Sequence, residues 1–404
     1  MSHLTQRLEL LRYPAFRLYL TSCLLVTFGA GLGYITMTWM AMTLKNSIGS
    51  VAISMLCFWG PGVILGPLMG ILVDRVRYRS RLLAASNWIR AVALLGFGLY
   101  FMHRESLVLL YLLIAIQGVF FSIWIPAAVR LTREMVPQNK LSHANATIDM
   151  TFEGGSMVGM GFAGLIIAWL SAPAALLINA GMFILSGTSL ISIKAKDLTI
   201  YHEEHVKINV VSDFINGLRY IASNKAIYII YSIQLLIFLE YLTAPVLMAP
   251  FALNVLHTDV KHFGYIEMAL SAGVVSGGLF LAWIAEVFGL TRTLLVSSVI
   301  LGISYIVFSY NRSIVEAEII YFIIGVCFAT WPLVVTRAQN ITDIHFQGRV
   351  LSCFTSISGL LMILIYLAVK LTSTYISIQI FYWIEVVFTL LSIWLILVFD
   401  RSCE

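Results

Sequence analysis

Two carboxylic acids stand four residues apart in a long apolar stretch of this sequence. At that spacing Asp149 and Glu153 lie on one face of a helix, and Asn145 and Ser156 extend the polar stripe. Counted from about position 142 at 1.5 Å per residue, Asp149 lies about 10 Å along the helix and Glu153 about 16 Å. Burial and mutual repulsion favour retention of a proton on one of them, which suits a proton carrier.

The same acids have a structural interpretation, as a buried ion pair with Arg90 or Arg130. An ionisable group at bilayer depth needs a partner or a function because its charge is costly there. Arg90 stands about 12 Å into another apolar stretch, flanked by Ser86 and Asn87. A structural partner is favoured for it over a substrate.

A third acid, Glu240, stands near the middle of a later apolar stretch, beside Tyr241. Pro245 and Pro250 follow, and because proline removes a backbone donor they predict a broken or kinked helix. Broken helices near the middle of a bilayer commonly line binding sites. Glu240 is therefore a further candidate for proton coupling and, with Tyr241, for a substrate cavity. A structural hydrogen bond is the alternative.

Several aromatic residues lie in or near the same stretches and have the surface to bind an apolar or aromatic molecule. Each has an alternative role in packing or as an anchor at the membrane interface. The candidates for a substrate cavity are Tyr34, Trp39, Phe121, Trp124, Phe328 and Trp331.

The composition places these residues in a membrane. Of the 404 residues, 60% are hydrophobic and 11% charged, whereas soluble domains carry about 25% charged residues. A helix needs about 20 apolar residues to cross a bilayer, and about twelve stretches are long enough, which predicts an all-α integral membrane protein. The stretches are 15–44, 50–73, 82–102, 107–136, 142–169, 173–194, 225–254, 263–287, 292–310, 316–342, 348–372 and 374–399.

Positive charge is concentrated in the turn after the second stretch, where Arg75, Arg77, Arg79 and Arg81 follow one another closely. Alternate loops of a chain with twelve spans share a side, and most Lys and Arg residues fall on the side of this turn. Because cytoplasmic loops carry that excess, both termini are predicted to be cytoplasmic. We expect a multi-pass protein of the inner (plasma) membrane.

The longest loop, 195–224, follows the sixth stretch and becomes amphipathic toward its end. A short helix on the inner membrane face is the expected structure. The loop divides the chain into two bundles of six helices, 1–194 and 225–404.

The second half of the chain echoes the first. Gly118 and Pro126 correspond to Gly325 and Pro332, and in both places a tryptophan stands close before the proline and a polar turn follows. Internal repeats in a chain with many spans are typical of secondary transporters, which move one half against the other around a central site.

The turn after the second span matches a known loop motif, Gly-x-Leu-Ala-Asp-Arg-x-Gly-Arg-Lys, at Gly70, Leu72, Asp74, Arg75 and Arg79, and departs from it at the second glycine, where Arg77 stands. With this motif and its twelve spans, the chain resembles the major facilitator superfamily. The resemblance implies two pseudo-symmetric six-helix bundles that give alternating access to a central site.

In that family the carboxylate of the motif faces the start of the eleventh span, where the helix dipole favours negative charge. The resemblance therefore implies a conformational latch on the cytoplasmic side, and a solvated loop that only sets the topology is the alternative. The latch residues would be Gly70, Asp74, Arg75, Arg79, Gly348 and Arg349.

The fifth span resembles a motif of the family's antiporters at Gly155, Gly159 and Gly164, although Met160 replaces the proline of that motif. Close helix packing is the alternative role of these glycines. The first span and the segment "HFQGRVLS" resemble most the branch of drug, macrolide and siderophore exporters.

The sequence departs from those relatives where they carry charge. Many have an acid in the first span, where this chain reads Gly29, Ala30 and Gly31. An arginine linked with proton coupling in the fourth span of relatives is replaced by Ile114. If the protein is an antiporter, other residues must carry the proton.

The resemblance implies a secondary transporter that exports a small amphipathic molecule, drug-like or a siderophore, by proton antiport. An importer of a nutrient or metal chelate is the alternative, and a lipid flippase or membrane enzyme ranks below both. The sequence has no His pair at metal spacing, no nucleophile elbow and no phosphate-binding loop, so no enzyme, metal or cofactor is expected. The expected partners are the substrate, protons and lipid, and no nucleic acid. The protein is expected to be a monomer.

The charge asymmetry makes a prediction about topology. A membrane-impermeant thiol reagent added from outside should label a cysteine placed at Lys45 or Lys261, because these positions fall in predicted outer loops. The same reagent should not label a cysteine at Arg79 or Lys207. Labelling in the opposite pattern would overturn the predicted orientation.

Overall fold

The structure is a computed structural model that describes residues 9–194, 198, 210–343 and 346–403. Within these ranges twelve helical spans are long and apolar enough to cross a membrane, which confirms the predicted fold class. The first six are Pro14–Leu44, Ile48–Arg75, Arg79–Phe101, Leu107–Met135, Leu141–Trp169 and Ala172–Ile191. The seventh to ninth are Lys225–Asn254, Val260–Phe288 and Leu290–Tyr310. The tenth joins Ile314–Phe328 to Trp331–Ile341, and the last two are Gln347–Thr372 and Ile378–Cys403.

Short polar side chains start several of these helices. Ser106, Ser171, Asn224 and Ser313 each accept a hydrogen bond from a backbone N–H in the first turn of the span that follows, which satisfies a donor the helix leaves free. Gly289 separates the eighth and ninth spans with a φ of 90°, a left-handed conformation that glycine adopts without strain.

The contacts divide the chain into two compact units. The first unit consists of Met1–Asn46, Ile53–Glu203 and Asp259–Met268, and the second of Ser47–Ala52, Glu204–Thr258 and Ala269–Glu404. Segment 47–52 at the start of the second span belongs to the second unit, and segment 259–268 at the start of the eighth span belongs to the first.

A buried polar junction joins three spans of the first unit. The hydroxyl groups of Ser22 and Ser186 lie 2.7 Å apart, and Asn87 Nδ2 donates to Ser186 Oγ over 3.0 Å. These residues belong to the first, third and sixth spans. In an apolar environment such bonds fix the register of neighbouring helices.

Glycines set the closest helix crossings in both units. A Cβ on Gly118 would clash with the carbonyl oxygen of Phe58, so the fourth span lies with its backbone against the second. A Cβ on Gly325 would clash in the same way with the carbonyl oxygen of Leu270, where the tenth span crosses the eighth. The two glycines paired by the sequence repeat therefore have the same role.

The prolines of the repeat differ in their settings. Pro126 lies inside the continuous fourth span, whereas Pro332 begins a new helix after the interruption at Ala329 and Thr330. The N–H groups in the first turn of a helix have no acceptor within the helix, so a proline there removes no hydrogen bond.

Of the two outcomes predicted for the seventh span, a break or a kink, the break does not occur, because this helix continues through Pro245 and Pro250 to Asn254. A neighbouring span assists there: the Tyr366 hydroxyl donates to the Leu242 carbonyl over 2.9 Å, just before the first proline. Membrane helices tolerate proline where such neighbours satisfy the backbone.

The last part of the linker is a helix over Val210–Ser223, and residues 195–197 and 199–209 lie outside the described residues. Gly217 faces the eleventh span, where an added Cβ would lie 2.7 Å from the Arg349 carbonyl oxygen. Ile215 and Leu218 remain 47% and 44% exposed. This apolar side is available to the membrane interface.

Two ion pairs hold the predicted cytoplasmic end of the first unit. Arg79 forms a buried salt bridge with Glu134, which joins the start of the third span to the end of the fourth. Lys140 Nζ lies 3.0 Å from Glu9 Oε2. This hydrogen bond and the charge of Lys140 lower the pKa of the Glu9 carboxyl below its ordinary value.

The glycine crossings predict opposite effects for two kinds of Gly→Ala substitution. Gly118→Ala and Gly325→Ala should each destabilise the purified protein by about 1–3 kcal/mol, because the backbones must move apart. Thermal unfolding in detergent measures the effect.

Gly96→Ala and Gly278→Ala are matched controls in the third and eighth spans, where an added Cβ meets no atom within 4 Å. They should be neutral or stabilising by up to about 1 kcal/mol, since alanine is the better helix former. Equal effects for all four variants would refute the proposed role of the crossings.

Candidate functional site

The middle of the spans carries more acids than bases. Among the described residues, six Asp, Glu, Lys or Arg side chains lie at least seven residues from both ends of their helix. They are Asp149, Glu153, Glu240, Glu267, Glu385 and Arg90. Because an isolated charge at this depth is costly, each acid requires a hydrogen-bond donor, water or a proton.

The acids of the fifth span lie on an open face of that helix. Asp149 is exposed and Glu153 is half-buried. Phe152 and Ser156 share the face at helical spacing. The stripe predicted from the sequence is therefore accessible, and a buried ion pair is not its arrangement.

An array of aromatic rings continues from this stripe onto the fourth and second spans. The ring centroids of Phe152 and Trp124 are 5.5 Å apart, and Trp124 is stacked on Phe121 with 6.3 Å between centroids and an angle of 4°. The Phe121 ring also contacts the rings of Phe58 and Trp59, with 5.3 and 5.8 Å between centroids. We call Phe121, Trp124, Asp149, Phe152 and Glu153 the aromatic–acidic surface.

The glycines of the fifth span hold this helix against its neighbours. Gly155 and Gly159 leave no room for a Cβ beside Thr27 and Phe28 of the first span. A Cβ on Gly164 would lie 2.6 Å from the Cα of Lys261, at the start of the eighth span. Close packing therefore accounts for the antiporter-like motif.

A second acid of the first unit was missed in the sequence. Glu267 of the eighth span is 2% exposed, and the Tyr34 hydroxyl donates to its Oε1 over 3.0 Å. Nearby, the rings of Trp39 and Phe263 stack with 5.8 Å between centroids. The two cavity candidates of the first span, Tyr34 and Trp39, thus both contact the segment 259–268.

Glu240 lies in the packed interior of the second unit. It is 1% exposed, and the Thr389 hydroxyl lies 3.1 Å from its Oε1. Glu385, four residues before Thr389 on the twelfth span, is 3% exposed. This residue was also missed, and it is the acid that interacts electrostatically with Glu240.

The aromatic candidates of the second unit are mainly packing residues. The Trp331 ring contacts the rings of Phe238 and Phe354, with 5.3 and 6.1 Å between centroids. It packs against a core cluster of that unit. Phe328 is 3% exposed and meets the Tyr241 ring edge-on at 5.5 Å. Of these candidates only Tyr241, at 44%, exposes much surface.

Arg90 has the structural partner that the sequence analysis favoured. Its Nε donates to Gln117 Oε1 over 2.9 Å, and Gln117 Nε2 donates back to the Arg90 carbonyl over 3.2 Å. The guanidinium lies 4.0 Å from the centre of the Phe183 ring. Ile114, where relatives carry an arginine, is 3% exposed.

The predicted latch residues lie at the ends of helices, as expected from the sequence. Arg75 ends the second span and Gly348 and Arg349 belong to the first turn of the eleventh. Gly70 has open space around it, and Arg79 is engaged by Glu134. The Asp74 side chain lies outside the described residues, so the latch stays a prediction.

The two missed acids carried a sequence signal, although a weak one. Glu267 and Glu385 each interrupt an apolar run without a second acid at helical spacing, unlike the Asp149–Glu153 pair. A search for every charged residue in the middle of a span would have found both. Among the described residues, no group of three or more His, Cys, Asp or Glu side chains is arranged to hold a metal ion.

Sequence relatives of this chain are transporters. It is 28% identical over 154 residues to the MFS-type transporter YfiS of Bacillus subtilis, a match that spans 38% of this chain and only 36% of YfiS. It is 23% identical over 349 residues to the multidrug efflux pump Tap of Mycolicibacterium fortuitum, covering 82% and 83% of the two chains.

Solved structures share the fold at low sequence identity. A mutant of the nucleoside transporter NupG superposes with a TM-score of 0.73 at 15% identity, over 95% of this chain and 99% of that one. A bacterial homologue of the iron transporter ferroportin gives 0.71 at 15% identity, over 95% and 98%. A family model described as Major Facilitator Superfamily matches residues 19–308. This chain, with its twelve spans and repeated glycine crossings, belongs to that superfamily of membrane transporters.

Proposed function

We propose that this transporter exports a small amphipathic molecule of positive charge in exchange for protons. The observation that carries the proposal is the aromatic–acidic surface, where two accessible carboxyl groups flank an array of aromatic rings. The proposal places the protein in the inner membrane with both termini in the cytoplasm.

The chemistry of the surface favours an organic cation as substrate. Aromatic faces attract cations through the ring quadrupole, by about 0.5–2 kcal/mol for each contact. The Trp124 and Phe121 rings supply such faces, and Asp149 and Glu153 supply negative charge. An anionic siderophore would be repelled by these acids, so a drug-like cation fits better than a siderophore.

The same acids provide a route to coupling. A carboxylate that attracts a cationic substrate in its ionised form loses that attraction when it binds a proton. Proton and substrate therefore compete for Asp149 and Glu153, and such competition produces antiport when access alternates. Glu153 is the first candidate, because it lies deeper along the span than Asp149.

Export is the direction favoured by the relatives named multidrug efflux pumps. The latch at Asp74 belongs to the same proposal, since it would keep the cytoplasmic side closed while the substrate is released outside. If the protein instead imports a nutrient or chelate, the substrate should move in the same direction as the proton. An assay of substrate flux under a pH gradient therefore separates the two mechanisms.

The coupling proposal predicts the behaviour of Glu153→Gln. Glutamine keeps the size of the side chain but cannot bind and release a proton. The variant should lose accumulation of ethidium driven by a pH gradient in proteoliposomes, and it should keep exchange of ethidium at equal pH. Fluorescence measures both fluxes.

Glu316→Gln is the matched control, because Glu316 is exposed in the first turn of the tenth span. It should transport like the wild type. If Glu153→Gln retains full pH-driven accumulation, Glu153 is structural, and the assay passes to Asp149 and then Glu240.

The substrate proposal predicts different results for two tryptophans. Trp124→Leu removes an aromatic face from the aromatic–acidic surface and should weaken ethidium binding about tenfold, equivalent to about 1.4 kcal/mol. Trp331→Leu should lower thermal stability and leave the affinity within about twofold, since its ring packs against Phe238 and Phe354. Equal losses of affinity would contradict the assignment of the site.

A further inference from the structure

Two carboxyl groups meet inside the second compact unit, where the seventh, ninth and twelfth spans bring polar groups together. Glu240 and Glu385, from the seventh and twelfth spans, are 1% and 3% exposed. They interact electrostatically with each other, and Tyr305 of the ninth span interacts with both. The aromatic–acidic surface belongs to the other unit and contains neither acid.

The identified hydroxyl donors at this pair are divided between the acids and the backbone. The Thr389 hydroxyl lies 3.1 Å from Glu240 Oε1 but 2.9 Å from the Glu385 carbonyl oxygen, and it has a single hydrogen to donate. The Thr243 hydroxyl is shared between Glu385 and the carbonyl oxygens of Leu239 and Glu240. Each carboxylate therefore has at most one of these hydroxyl hydrogens, and it competes with a backbone carbonyl oxygen for it.

Buried oxygen atoms without a partner lie at the pair and two turns further along the twelfth span. Glu385 Oε2, Tyr305 Oη and Ser392 Oγ have no hydrogen-bond partner, and Ser392 shares a helix face with Glu385 and Thr389. A buried polar atom left unpaired costs about 1–3 kcal/mol. A proton on the pair would turn one acceptor into a donor and reduce that cost.

The other titratable groups near the pair cannot neutralise two negative charges. Cys327 of the tenth span interacts with Glu240, and Tyr382 of the twelfth interacts with Tyr305. The Tyr382 hydroxyl also lies 3.2 Å from that of Tyr321. Thiols and phenols are neutral or negative and never cationic, so a doubly ionised pair would gain no compensating charge from them.

We propose that Glu240 and Glu385 share one proton and form a second proton-binding site of the transporter. The proposal rests on the proposed function in one respect, namely that the shared proton is exchanged during transport. Because the pair shares no residue with the aromatic–acidic surface, its proton adds to the proton that competes with the substrate. Each cycle would then carry two protons inward for one monovalent cation outward, which moves one net positive charge inward.

Infrared spectroscopy of the purified protein in lipid tests the shared proton without any substrate. A protonated carboxyl and an ionised carboxylate absorb at different frequencies, so the wild type minus Glu240→Gln/Glu385→Gln difference counts both forms. At neutral pH we expect the double variant to lose one protonated carboxyl and one carboxylate. Glu316→Gln, the exposed control, should lose a carboxylate alone.

Two other infrared results would overturn the proposal. Loss of two carboxylates would mean that the pair is fully ionised, and loss of two protonated carboxyls would leave no shared proton. Thermal unfolding of each single variant shows whether the substitutions keep the fold, and Glu240→Gln and Glu385→Gln then report the pair separately.

Proton and ethidium fluxes measured together in proteoliposomes test the exchange. Glu385→Gln should lower the number of protons moved per ethidium by one and remove the response to membrane potential at equal pH, while Glu316→Gln should match the wild type. An unchanged stoichiometry in Glu385→Gln would overturn the second site. If the wild type itself responds to neither gradient, the proposed antiport fails, and the infrared count still decides whether the pair holds a proton.

Discussion

The interior of this transporter is organised by the cost of leaving a charge without compensation in an apolar environment. Arg90 meets that cost through Gln117 and the Phe183 ring, and Arg79 through Glu134. The acids meet it differently: those of the fifth span lie on an open face, whereas Glu240, Glu267 and Glu385 lie among hydroxyl groups. These acids can change their protonation, and the arginines cannot. Functional chemistry is therefore expected at the acids and structural roles at the arginines.

Much of the fold could be predicted from the sequence because hydropathy and glycine act locally. A run of apolar residues long enough for a bilayer is a helix almost without regard to its neighbours. The repeat that pairs Gly118 with Gly325 was visible because the same steric demand, two backbones in contact, requires the same residue in both halves. The aromatic–acidic surface was partly visible for the same reason: Asp149 and Glu153 identify their shared face by spacing alone, and Phe121 and Trp124 were already candidates.

The features that escaped prediction depend on partners that are remote in sequence. Glu267 is stabilised by Tyr34, more than 200 residues away, and no local pattern announces that contact. The seventh span continues through two prolines beside a hydrogen bond from Tyr366 of the eleventh span, so proline alone does not decide whether a helix ends. Arg90 is held by Gln117 of another span, a contact that its own neighbours in sequence do not indicate. Sequence reasoning found the helices, and their packing determined which polar groups became neighbours.

The linker helix, where it packs on the eleventh span, covers the thiol of Cys353. Cys353 is fully covered, and its Sγ donates to the Phe214 carbonyl over 3.0 Å, beside the point where Gly217 touches the span. An alkylating reagent can reach this sulfur only when the helix lifts away. Once attached, the reagent would keep the helix from returning. The native chain thus contains its own chemical reporter of linker movement, and the rate of Cys353 alkylation would measure how often the linker detaches.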